Sequence, residues 1–402
     1  MQIHVHMTPR DPHEAHRAST PLELFVDLAF VVAVAQAAGS LHHALVEDHL
    51  GDVLLGFPIT FFAIWWAWMN FTWFASAFDC DDVLYRLAVF AQMSGVLVLA
   101  AGIPRAFNDM DFVIPVIGYV IMRLAMVTQW LRAAASDPSA RRTATRYAIG
   151  VALVQVGWVA RLFLHDAASV ILFVVLVIAE LLVPAWAERA GATPWHPRHM
   201  AERYGLFTII VLGESVLGAT VAVQGALDAE GAIGDLAPVI IGGLLTVFSM
   251  WWIYFGLPSE RLVDRARDGK ATAAFGWGYG HYLIFGTAAA AGASLAVAVD
   301  QAVGKSHLSA RGFGLAVTVP VALYVVTCWL LHRGAKPAGV MRDWGPLVAA
   351  AAVLATTLTP EPVLLTGLVL ALTVAVGIVT GADEPVPAAD GHSAPAVERS
   401  TR

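Results

Sequence analysis

Glu23 and Asp27 stand four residues apart in an apolar stretch over residues 21–39. That spacing puts both carboxylates on one face of a helix. Arg123 lies in the middle of Val120-Ile121-Met122-Arg123-Leu124-Ala125, and Glu214 in Ile209-Ile210-Val211-Leu212-Gly213-Glu214-Ser215. Glu180 interrupts another apolar run, and His281 follows the glycine-studded Gly276-Trp277-Gly278-Tyr279-Gly280. Gln36, Asn70, Gln92, Gln129 and Gln155 add neutral polar groups. An ionisable side chain at mid-bilayer costs about 2.5–3.5 kcal/mol on insertion scales, so such groups mark function or a strong partner. Arg123 is the deepest cation, and Asp27 is its expected partner by depth. One arginine cannot neutralise Glu23, Asp27, Glu180 and Glu214 together, so at least one acid is expected to exchange a proton or face water. That is the chemistry of a proton relay, a cation path or a polar ligand cavity. The plainer alternative at each position is an acid that glues helices together.

The elements that must position these groups follow from composition. Of 402 residues, 58% are hydrophobic and 14% charged, against roughly 45–50% and about 25% in soluble domains. Mean hydropathy is +0.68. A soluble globular enzyme, a disordered chain and a disulfide scaffold are all excluded, because one core cannot hide so much apolar surface. The apolar runs are continuous, unlike the alternating strands of a β-barrel. The expected fold is an all-α polytopic membrane bundle with the lipid bilayer as its main partner. Twelve spans are predicted at 21–39, 53–75, 83–102, 112–131, 147–165, 168–187, 203–223, 237–257, 273–299, 312–332, 346–359 and 363–381. With both termini cytoplasmic, nineteen Lys and Arg fall inside and four outside, as the positive-inside rule asks of an inner-membrane protein.

The chain divides into a polar, His-rich tail (1–20), two six-helix halves (21–190 and 191–381) and a disordered tail (382–402). No cleavable signal peptide is visible at 1–20. Phe62-Ala63-Ile64-Trp65-Trp66 and Phe248-Ser249-Met250-Trp251-Trp252 echo each other, as do Glu23 and Glu202 at the openings of the first and seventh helices. Six helices per half would make the repeat a parallel one. An aromatic belt at one interface would also produce both Trp pairs.

Little else in the sequence carries chemistry. The net charge of −7 includes no basic patch, so no nucleic-acid partner is expected. Cys80 and Cys328 form no metal or disulfide pattern. His199 and Glu202 have a spacing that can bind metal, but no second such pair exists, and no metal or cofactor is expected. His4, His6, His13 and His16 are read as part of a flexible tail. No nucleophile elbow, phosphate loop or zinc-protease motif is present, so no catalytic residue is assigned.

Three ordered motifs resemble a known family. Pro21-Leu22-Glu23-Leu24-Phe25-Val26-Asp27-Leu28-Ala29-Phe30-Val31 is similar to the opening motif of the bacterial low temperature requirement A (LtrA) family. Trp65-Trp66-Ala67-Trp68-Met69-Asn70-Phe71 with Phe78-Asp79-Cys80-Asp81-Asp82 resembles its second signature. The run from His199 to Ser215 resembles its third. The likeness covers residues 20–380 and implies a link to growth in the cold, but brings no substrate or catalytic residue with it.

The expected function is a secondary transporter or ion-coupled permease for an unknown small solute or ion. Glu23, Asp27, Arg123, Glu202 and Glu214 would form its polar network, with Glu180, His281, Asn70, Trp65 and Trp66 as further candidates. Two other classes remain open. One is a lipid-acting membrane enzyme built on Glu23, Asp27, Asp79, Asp81, Asp82, His199 and Glu202. The other is a non-transporting sensor or scaffold.

Overall fold

The computed structural model describes residues 2–11, 14, 18–227, 233–256, 271–332 and 340–380. The proposed tail at 382–402 lies outside the described residues, as do His13 and His16. The chain is all-α, with twelve helices among the described residues. They are α1 (Pro21–Val46), α2 (Leu50–Ala77), α3 (Val83–Asn108), α4 (Val113–Ser136), α5 (Arg141–Arg161) and α6 (Asp166–Glu188). There follow α7 (Pro197–Leu227), α8 (Ile233–Phe255), α9 (Ala271–Ala302), α10 (Ala310–His332), α11 (Val340–Ala355) and α12 (Pro362–Val379).

Among the described residues, nine helices are long and apolar enough to cross a membrane: α1 to α4, α6, α8, α9, α10 and α12. Twelve spans are predicted, so three helices fall outside this measure. Two of these, α5 and α7, open on charged turns (Arg141 and Arg142; Arg198, Glu202 and Arg203). The third, α11, has 16 residues, short for a core of about 30 Å at 1.5 Å per residue.

The outer surface is built for lipid. On α6, Val170, Ile171, Val174, Val175, Ile178 and Leu182 are exposed, while Leu176, Glu180, Val183 and Ala187 are buried. Water would penalise such an exterior, whereas hydrocarbon does not. In contrast, α9 is buried nearly all round, as suits a helix apolar on every face.

Small residues set the closest helix contacts. A Cβ on Gly95 of α3 would sit 2.7 Å from the Gly118 oxygen of α4. Gly242 of α8 and Gly367 of α12 meet in the same way, and Gly292 of α9 gives way to Ser215 of α7. Without a hydrophobic force between helices in lipid, backbone approach of this kind supplies the packing.

The Trp pairs lie in different surroundings. Trp65 and Trp66 are buried at 2% and 1%, whereas Trp251 and Trp252 are exposed at 44% and 42%.

Residues 2–11 do not behave as the flexible tail expected of a polar, His-rich stretch. They form a strap across the ends of α2, α3 and α4. Strand β1 (Thr8–Pro9) pairs antiparallel with β2 (Phe78–Asp79). Met7 is buried, its N–H donating to Ser136 Oγ at 3.2 Å, and Arg10 N–H donates to Ala77 O at 3.0 Å. One buried apolar residue and a few backbone bonds are enough to hold a short polar segment in place.

Candidate functional site

The site begins at the first turn of α1. Thr20 caps the helix in a capping box. Its side chain accepts the Glu23 N–H at 3.2 Å, and Glu23 Oε2 accepts the Thr20 N–H at 2.7 Å. This fixes the Glu23 carboxylate against the helix start, where the dipole favours it. One turn on, Asp27 shares the same face and is fully buried.

Facing them is the first turn of α7. His196 precedes the helix, and its Nδ1 accepts the His199 N–H at 3.2 Å. Its Nε2 therefore carries the proton and donates to Glu14 O at 2.8 Å. This aligns the next two side chains. His199 Nε2 lies 3.2 Å from Glu23 Oε1. Arg203 donates Nη1 to Asp27 Oδ2 at 2.7 Å and Nη2 to Asp27 Oδ1 at 2.6 Å. Arg203 Nη2 also donates to Glu23 O at 3.2 Å, and Trp68 Nε1 donates to Asp27 Oδ1 at 2.8 Å. Glu23 and Asp27 thus meet His199 and Arg203 in a two-rung ladder, one turn apart on both helices. The matching order means that α1 and α7 run parallel here. All four side chains are buried. Beneath the ladder, Trp68 stacks on Phe207 at 4.3 Å and meets Tyr204 edge-on at 4.9 Å.

A second ion pair lies within the first six helices. Arg123 of α4 donates Nη2 to Glu180 Oε2 of α6 at 3.2 Å. Trp66 Nε1 donates to the same oxygen at 2.7 Å, and Trp158 Nε1 to Glu180 Oε1 at 3.3 Å. The guanidinium rests over the Tyr119 ring at 5.2 Å, and Tyr119 Oη donates to Ala63 O. The expected Arg123–Asp27 pair is therefore overturned. Depth along the chain matched the two, but Asp27 is already taken by a bidentate arginine, and Glu180 sits across from Arg123 with two indole donors. Beside Arg123 a cavity of about 10 Å³ is lined by Val26, Phe30, Ala67, Phe71, Gln92, Met93, Val96, Met122 and Met126. It has room for about one water.

The remaining candidates separate. Glu202 is half-buried and accepts the Ser19 N–H at 3.1 Å, so it braces the approach to α1 and stays out of the ladder. Glu214 is half-buried and has no hydrogen-bond or ion-pair partner among the described residues. His281 is buried on α9, with Nδ1 donating to Trp277 O at 2.8 Å and Nε2 accepting from Tyr254 Oη at 3.0 Å. Asn70 donates to Trp66 O of its own helix at 2.7 Å. Trp65 is buried in ring contacts with Trp66, Tyr279 and Tyr282.

Of the acids near the loop before α3, Asp81 and Asp82 have structural partners, and the Asp79 side chain lies outside the described residues. Asp81 is exposed and bound by Arg86 at 2.6 Å. Asp82 caps α3 and anchors the strap, accepting from Tyr85 N–H and Val5 N–H at 2.7 Å each and from Arg132 Nη2 at 2.6 Å. Burial would push its carboxyl up, but these donors outweigh it and hold the carboxyl below the ordinary carboxylate range.

Sequence reasoning missed Arg203 and gave His199 no role in the network. In the sequence, His199 precedes the seventh apolar run and Arg203 is its first residue. A signal was available: His199 and Arg203 repeat the four-residue spacing of Glu23 and Asp27.

Over residues 18–380 the chain matches the family described as Bacterial low temperature requirement A protein (LtrA). It is 30% identical over 295 residues to Uncharacterized protein RA0937 of Rhizobium meliloti (strain 1021), a match covering 70% of each chain. No solved structure matches it. The ladder residues Glu23, Asp27, His199 and Arg203 all fall inside the matched span, and on that match this multi-pass helical chain belongs to the bacterial low temperature requirement A family.

Proposed function

We propose that the protein is a secondary carrier of the inner membrane, moving a small solute or ion with a coupling ion between two six-helix halves. The observation that carries this reading is the ladder of Glu23–His199 and Asp27–Arg203, because it joins the first helix of one half to the first helix of the other. Parallel α1 and α7 suit a parallel repeat, which brings equivalent ends to the same side.

The chemistry favours a seam that can open. An apolar contact resists water, but ion pairs exchange their partner for hydration at small net cost, since desolvation nearly cancels their attraction. When the halves rock apart, four charged or titratable groups gain water. Arg123–Glu180 differs in that it ties α4 to α6 inside one half, so it serves as a fixed strut. By the positive-inside bias the ladder end faces the cytoplasm, with both termini on that side.

The test uses the full chain in proteoliposomes loaded with a pH-indicator dye. Pools of amino acids, carboxylates, sugars and monovalent cations are added under an imposed pH gradient. A carrier shifts the internal pH with one pool and not the others. No response to any pool, with folded protein recovered from the vesicles, overturns the reading.

A further inference from the structure

Tyr204, Phe207 and Val211 form the inward row of α7, and all three are fully buried. The same three-and-four spacing leads next to Glu214 and then Gly218. Glu214 therefore points along the face that packs the seam, yet it is only half-buried and pairs with nothing among the described residues. Its neighbour Ser215 turns toward α9, where Oγ donates to Val211 O at 3.1 Å and Ala288 O at 3.3 Å. One turn on in the same row, a Cβ built on Gly218 would meet nothing within 4 Å, which leaves room beside the Glu214 carboxyl. At 1.5 Å per residue, Glu214 is roughly 16 Å past Arg203 along the axis. The α1–α7 contact is thus closed by ion pairs at the ladder, whereas Glu214 stands half-buried with room beside it.

Two titratable groups on the helices packed against α7 have partners of their own. His42 of α1 is held by Asp300 of α9 at 2.7 Å, and His281 of α9 is bonded to Tyr254 of α8. On α7 itself, Glu202 and Arg203 lie near the opposite end of the seam.

We infer that Glu214 is the group that takes up and releases the coupling proton. The proton comes from water at the open side and is carried on the carboxyl when the seam closes over it, since an ionised carboxylate without a partner is costly inside a bilayer. It leaves to water on the other side when the carboxyl is next hydrated. A metal cation suits the position poorly. Such ions ask for about six or more oxygen ligands, whereas Glu214 is a single carboxylate and the Ser215 hydroxyl is already committed to Val211 and Ala288. The coupling role rests on the carrier reading; proton binding at Glu214 does not.

Dicyclohexylcarbodiimide, an apolar reagent for protonated carboxyls in apolar surroundings, tests this on the reconstituted full chain. Peptide mass spectrometry compares Glu214 with the exposed Glu47. Modification at Glu214 should exceed that at Glu47 several-fold and fall as pH rises. Equal or lower modification, or no pH dependence, overturns proton binding whether or not Glu214→Gln folds. In dye-loaded vesicles, Glu214→Gln should abolish solute-driven proton movement. If that variant moves protons as the wild type does, the coupling role is overturned. If the wild type moves none while Glu214 is modified, the carrier reading fails and the proton site stands.

Discussion

Arg203 grips Asp27 through both terminal nitrogens, at 2.6 and 2.7 Å, with each side chain fully buried. The pair joins α7 to α1, and Trp68 of α2 completes it. Removing one partner leaves a buried charge, so Arg203→Leu should cost about 3–5 kcal/mol. Asp27→Leu with Arg203→Leu should recover part of that loss, because an apolar pair packs without desolvation cost while the buried Trp68 N–H is left without its acceptor. Thermal denaturation in detergent measures both. A double variant as unstable as the two singles added together would show that the residues do not act as a pair.

The Arg123 partnership makes a separate prediction. Arg123→Leu should destabilise by a similar amount, and Glu180→Leu should rescue it, whereas Asp27→Leu should not. Rescue by Asp27→Leu would contradict the distance of 3.2 Å between Arg123 Nη2 and Glu180 Oε2. Trp66 and Trp158 both donate to Glu180. Rescue is therefore expected to be partial, with the buried Trp66 and the half-buried Trp158 indole N–H groups left without an acceptor.

How much of this was legible in the sequence depends on what each feature rests on. The helices follow from continuous apolar runs, and the burial of Glu23, Asp27, Arg123 and Glu180 follows from charges set inside those runs. Pairing is a different matter. Depth along a helix fixes one coordinate, while a partner is chosen by the helix neighbours and by rotation about the axis, which a single sequence does not encode. Asp27 and Glu180 were both acids available to Arg123; only the packing of α4 against α6 through α5 decides between them. The apolar run of the seventh span starts at Arg203, which places that residue among the cytoplasmic charges at the membrane edge, whereas the helix begins at Pro197. That extra turn and a half converts an interfacial arginine into a buried one. The strap was illegible for another reason: residues 2–11 have no periodic pattern, and the partner of Val5, Asp82, is 77 residues away.

Helix contact at glycine should be sensitive where backbones touch and tolerant where they do not. A Cβ on Gly118 would lie 2.6 Å from Gly95 O and 2.7 Å from Leu99 N. Gly118→Ala should force α3 and α4 apart at a cost of about 1–3 kcal/mol. Gly39 in the interior of α1 has nothing within 4 Å, and Gly39→Ala should be neutral or stabilising by up to about 1 kcal/mol through helix propensity. Melting temperatures of the two variants in one detergent decide it. Equal melting temperatures would mean that the α3–α4 contact has slack that the geometry denies.

Asp82 gives the strap a pH dependence whose sign can be worked out. Its carboxyl is held below the ordinary aspartate value of 3.8, because donors from Tyr85, Val5 and Arg132 outweigh the penalty of burial. A carboxyl with a folded value below its unfolded one contributes stability above the unfolded value and loses it as pH falls through the folded one. The strap should therefore stay fastened at neutral pH and loosen only in acid below about 3.8. A nitroxide at the exposed Thr8, in a background lacking Cys80 and Cys328, would report this through its mobility. The spectrum should be immobilised at neutral pH and sharpen in acid. Asp82→Asn keeps the size of the side chain but loses its charge, so Arg132 no longer faces an anion and at least one of the three donors must do without its acceptor. That variant should be mobile already at neutral pH and show no acid step. An unchanged acid step in Asp82→Asn would assign the release to another group and leave Asp82 as a helix cap only.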